Sequence, residues 1–200
     1  MEIKMRMNRV LKIALFSFAF NLVYSAYHII FGIATHSWWF FTIGIYYVLL
    51  SIIRIAVLES KNNGRFAIRF TGVILILLSL PLIGTVILSF VKDRGIKFHL
   101  IVMLAVAVYA FTKITLATIN WVKARKSTSA KLITLRNISF ADAFVSIFSL
   151  QRSMLVSFEG MSETEIRIMN LVTGSAVCII VFLLGLNLVR LNLNNSNDVN

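Results

Sequence analysis

The chain is short of what a water-soluble domain of its size is built from. Only 14% of its 200 residues are charged, against about 25% in ordinary soluble proteins. One Pro and nine Gly leave little material for long flexible linkers, so one domain of packed helices is expected and no separate soluble module. The lone Cys178 excludes an intrachain disulfide and leaves the redox compartment unmarked. Acidic residues number eight against twenty Lys and Arg, giving a net charge of +12. Catalytic signatures are missing as well: there is no H-E-x-x-H, G-x-S-x-G, P-loop or C-x-x-C. An enzyme is therefore the less favoured reading, and no cofactor is expected.

What is abundant is apolar surface. Hydrophobic residues make up 58% of the chain, more than a soluble core of this length can absorb but well suited to lipid. Six stretches approach or exceed the roughly 20 residues needed to cross a bilayer. They are Val10–Ala34, Trp38–Leu58, Phe66–Val91, Phe98–Val122, Leu132–Phe158 and Ile168–Arg190. The fold class expected is all-α: a polytopic membrane protein with six transmembrane helices in one bundle over residues 1–190, followed by a polar, Asn-rich tail at 191–200. The basic start MEIKMRMNRV resembles that of a signal peptide. The apolar run behind it is too long for one, so it is expected to remain as the first span.

The basic residues are scattered among apolar runs and form no single soluble face, which argues against nucleic acid and for anionic lipid head groups. With the N-terminus inside, eleven Lys and Arg fall on the inner side, four on the outer side and five within spans. That bias places both termini in the cytoplasm of a plasma membrane, of the prokaryotic inner-membrane kind, with the basic loop Lys92–Lys97 dissenting. Trp38, Trp39 and Trp121 fall where aromatic belts are expected. Arg54, Arg65, Arg69 and Arg136 lie near the inner boundary, where they are expected to contact lipid phosphates. The histidines His28, His36 and His99 and the glutamates Glu159, Glu163 and Glu165 all fall toward the outer side. Their spacing matches no ligand motif, so no metal site is expected.

The fifth span is the most informative. Asp142 stands near its middle, where a carboxylate costs roughly 2.5–3.5 kcal/mol on insertion scales and so calls for a partner. At helical spacing it shares a stripe with Ser139, Ser146, Ser149 and Ser153. Lys113 in the fourth span is the best partner. Counted at 1.5 Å per residue, both groups lie about 14–15 Å from the inner boundary. Asn21 reaches a similar depth, and Tyr24, His28, Tyr109 and Asn120 extend the polar seam. In the sixth span Gly174, Cys178 and Gly185 form a small-residue face suited to close helix contact, and Ser162-x-x-Glu165 has the form of a capping box.

In size and span count the chain is similar to the substrate-binding subunits of energy-coupling-factor vitamin transporters. The small-residue docking motif of that family is not recognisable in the first span, and the paired glutamates of the CAAX-protease-like membrane hydrolases are absent. Three functional readings follow, the last an enzyme acting on lipids through a compact His/Glu cluster at the outer end. In the first, a small solute or ion is bound or moved through the polar interior, with Asp142 and Lys113 as a switchable pair. In the second, the chain is a non-transporting interaction or regulatory subunit, and the small-residue face or the basic rim holds a protein partner or a second copy.

Overall fold

The computed structural model describes the backbone of residues 2–60, 64–91, 99–124, 129–157 and 160–197, and the side chains of 12–60, 64–90, 99–122, 129–157 and 160–191. The basic loops, Glu159 and the end of the tail, all weighed above, lie outside these residues. Within them the chain is entirely helical: α1 Glu2–Ala34, α2 Trp38–Glu59, α3 Gly64–Val91, α4 Leu100–Ala124, α5 Ala130–Ser157 and α6 Glu163–Asn197. All six are long and apolar enough to cross a membrane. The largest departures from the expected bounds are at α1, which begins at Glu2, and at α6. The capping box forms, with Glu165 Oε2 accepting from the Ser162 backbone N–H at 2.8 Å. The helix therefore starts at Glu163, five residues before the apolar run. It also continues to Asn197, because hydropathy marks where lipid contact ends and not where helical hydrogen bonding ends.

The distribution of residue types is inverted relative to a soluble protein. Val23 and Ile101 are each 70% exposed, whereas Asn21, Arg54, Lys113 and Asp142 are at most 2% exposed. Apolar side chains facing outward over all six helices identify a multi-pass membrane protein. Outward-facing hydroxyls return to their own helix, as Thr115 and Thr118 do to the carbonyls of Phe111 and Ile114 at 2.9 Å, so lipid meets no unbonded donor there.

α5 is the axis of the bundle. It packs against all five other helices, and 72% of its spanning window is buried, against 33–50% in the rest. Its many small residues, among them Ala141, Ala143 and five serines between Ser139 and Ser157, let neighbours approach while leaving hydroxyls to bond inside. The most extensive pairing is α3 with α6. There Gly72 and Gly185 meet face to face: a Cβ on either would lie 2.8–2.9 Å from the other's carbonyl oxygen. Gly174 packs against Val86 of α3 and Phe148 of α5. The small-residue face that the sequence offers to a partner is thus occupied within the chain.

Candidate functional site

Asp142 is the centre of a buried polar cluster to which α1, α2, α4 and α5 each contribute. Its Oδ2 accepts from Lys113 Nζ at 2.8 Å, Arg54 Nη2 at 3.0 Å, Asn21 Nδ2 at 3.1 Å and Ser17 Oγ at 3.4 Å. The side chains of Asp142, Lys113 and Arg54 are each 1% exposed, so no solvent screens the charges. Lys113 also donates to Ser17 Oγ at 2.9 Å, to the Ser17 carbonyl at 3.3 Å and to Asn21 Oδ1. Asn21 Oδ1 in turn accepts the Tyr109 hydroxyl at 3.1 Å. The depth arithmetic that paired Lys113 with Asp142 therefore describes two side chains that meet.

Arg54 corrects the sequence reading. It was expected at the lipid rim, because only five residues separate it from the end of α2 at Glu59. Helical side chains lean toward their own N-terminus, and α2 runs opposite to α1 and α5. That lean carries the guanidinium away from the near rim and into the middle of the bundle, onto Asp142. Of the other three arginines, Arg65 and Arg69 are exposed and Arg136 is half-buried, all in the opening turns of α3 and α5. The neighbouring Lys131, unmarked in the sequence, donates to the Leu58 carbonyl and closes the last turn of α2.

Beyond the charges, toward the end of the bundle where α1 turns into α2, lies a cluster of tyrosines. Tyr24 stacks on Tyr109 with centroids 3.6 Å apart, and the Tyr47 ring meets both edge-on at 5.2 and 5.8 Å. The Ser146 hydroxyl donates to the Asp142 carbonyl at 2.7 Å, which makes Tyr47 the donor in its 3.0 Å bond with Ser146. The hydroxyls of Tyr24 and Ser149 are buried without a hydrogen-bond partner among the described residues. His28 packs on Tyr24 at 4.1 Å, and its Nδ1 donates to the Tyr24 carbonyl at 3.1 Å, which fixes the proton on that nitrogen. On the other side of the charges, Asn120 Nδ2 donates to Ser139 Oγ at 3.0 Å. Along one face of α5, Ser139, Asp142, Ser146 and Ser149 thus line up, with Asn120 at one side of the charges and the tyrosines at the other.

One further residue departs from expectation. Trp39 is 2% exposed and is no belt residue; it lies under Arg152, whose guanidinium carbon is 4.6 Å from the ring centroid. Arg152 is itself buried. His36 and His99 stay exposed, apart from the buried His28. Among the described residues no three His, Cys, Asp or Glu side chains converge as a metal ion requires.

No family model matches this chain, and neither curated proteins nor solved structures give a match. The site has to be read from its own chemistry.

Proposed function

We propose that the protein binds or moves a small solute or ion through its polar interior, with Asp142 and Lys113 as the pair that changes partner and Arg54 as a third member. The observation that carries this reading is the unequal charge: two buried cations share one carboxylate oxygen in mid-bundle. Asp142 Oδ1 and Arg54 Nε and Nη1 have no partner among the described residues. A pair kept only to fix helix register needs no second cation, and unmet buried donors are costly unless something else uses them. Intramembrane ionisable groups of this kind commonly mark solute or ion pathways.

The membrane is read as a prokaryotic plasma membrane with both termini in the cytoplasm. Arg65, Arg69 and Arg136 then face anionic head groups at the inner surface. The competing reading, an interaction subunit, loses its best surface, because Gly174 and Gly185 are already packed inside the chain.

Reconstituted liposomes provide the test. Uptake of a panel of neutral, cationic and anionic solutes is compared for wild type and Asp142→Asn. The expected result is flux of at least one solute class that the substitution abolishes. Absence of flux for every class, or flux indifferent to Asp142, overturns transport.

A further inference from the structure

The charge cluster is odd in number. Asp142 contributes one negative charge, and Lys113 and Arg54 contribute two positive ones. Among the described residues the other titratable groups around them are tyrosines, Tyr24 from α1, Tyr46 and Tyr47 from α2 and Tyr109 from α4, all neutral in their ordinary state. Among the described residues one positive charge is left uncompensated in a dry interior.

The bonding is as lopsided as the charge. Four donors crowd Oδ2 of Asp142, while Oδ1 is left over on one partner and Nε and Nη1 on the other. Arginine and a carboxylate ordinarily pair through two parallel N–H···O bonds. Here Arg54 has only one, because Asp142 turns the same oxygen to Lys113. A second carboxylate on Lys113 frees Asp142 to offer both oxygens to Arg54. Two cations and two anions then balance.

Room for such a ligand lies one helical turn along α4 from Lys113, which does not itself line it. A cleft of about 380 Å³ opens between α1 and α4, lined by Phe20, Tyr24, Tyr27, Val102, Val106 and Tyr109 among others. That is within the usual 300–1,000 Å³ range of small-molecule sites. Its rim residues Val23 and Ile101 are each 70% exposed, so the cleft opens on the apolar outer surface of the bundle. Tyr109 joins the two regions. It lines the cleft, and Lys113 Nζ lies 5.2 Å from its ring centroid.

We infer that the site takes a small carboxylate with an apolar body: the carboxylate pairs with Lys113, the body fills the α1–α4 cleft, and Asp142 closes onto Arg54. This rests on the binding reading above and gives it a substrate class.

Calorimetry on the purified full chain in detergent tests it with three probes: hexanoate, hexanamide as its uncharged counterpart, and chloride as an anion without a body. Wild type should bind hexanoate at least about tenfold more tightly than either of the others, since a desolvated charge pair and a filled cleft both contribute. Lys113→Met leaves a neutral Arg54–Asp142 pair and should weaken hexanoate by about tenfold or more. Asp142→Asn has the opposite sign. It removes the competing carboxylate, so hexanoate affinity should hold or rise, and added hexanoate should raise the melting temperature of the variant. Val102→Trp at the half-buried edge of the cleft alters no charge and should weaken hexanoate while sparing the fold, which covers the case in which Asp142→Asn fails to fold.

Hexanamide binding as well as hexanoate overturns the inference, as does loss of hexanoate binding in a folded Asp142→Asn or indifference to Val102→Trp. Flux of a neutral or cationic solute without hexanoate binding removes this inference and leaves transport standing. Hexanoate binding without flux of any solute supports the inference and restricts the protein to binding.

Discussion

Arg54 Nη2 lies 3.0 Å from Asp142 Oδ2, although Arg54 stands in the last two turns of α2 and Asp142 midway along α5. The long side chain spans the difference in depth, and both partners are withdrawn from solvent. A buried carboxylate therefore has two cations, and the energetic consequences of removing each partner differ.

Asp142→Asn strands two buried cations and is expected to destabilise the fold by about 3–5 kcal/mol, the usual cost of breaking a buried pair from one side. Lys113→Met and Arg54→Met each leave one cation on Asp142, so each should cost less. The double Lys113→Met, Arg54→Met variant strands the carboxylate and should lose more than the sum of the two single changes. Thermal melts in detergent rank the four. Additive behaviour in the double variant contradicts a shared counter-ion.

The α3–α6 crossing predicts a sharp positional effect. Gly185→Ala puts a methyl about 2.8 Å from the Gly72 carbonyl oxygen and should destabilise by about 1–3 kcal/mol as helices separate. Gly84→Ala, with nothing within 4 Å of its added carbon, should leave stability unchanged or slightly raised. Melting both variants side by side checks the crossing without reference to function.

The proposed pathway has to open to water at some stage of transport, and that implies selective labelling. In a Cys178→Ala background, single cysteines at Ser139, Ser146 and Ser149 should react with a membrane-impermeant thiol reagent, and a cysteine at the outward-facing Val172 should not. Val172 is 64% exposed, but to lipid. Equal silence at all four positions argues for a sealed interior.

The basic rim should discriminate among arginines. Combined Arg65→Gln, Arg69→Gln and Arg136→Gln should reduce the anionic phospholipid retained in native mass spectra. Arg54→Gln should not, since its guanidinium is committed to Asp142. An equal reduction from Arg54→Gln contradicts the inward assignment.

Much of this arrangement can be read along the chain. Asp142 inside an apolar run requires a partner, and counting residues from the nearest polar loop finds Lys113, because rise per residue is constant in a helix. The Ser162–Glu165 capping box is legible for the same reason: it depends on residues within one turn. The same count misjudged Arg54, whose Cα lies near one end but whose side chain leans toward the other. It also placed Trp39 in a belt, when the buried Arg152 stacks upon it.

The sequence alone determines the class of molecule, the number of spans and that Asp142 and Lys113 cannot face lipid, since these follow from hydropathy, length and the cost of a charge in hydrocarbon. Only the tertiary structure decides that two cations share one carboxylate oxygen, that Gly185 meets Gly72, and that α1 and α4 part beside Tyr109 to leave a cleft. Such features depend on the rotation and tilt of helices that lie far apart in the chain. Packing sets those angles, and no local periodicity encodes them.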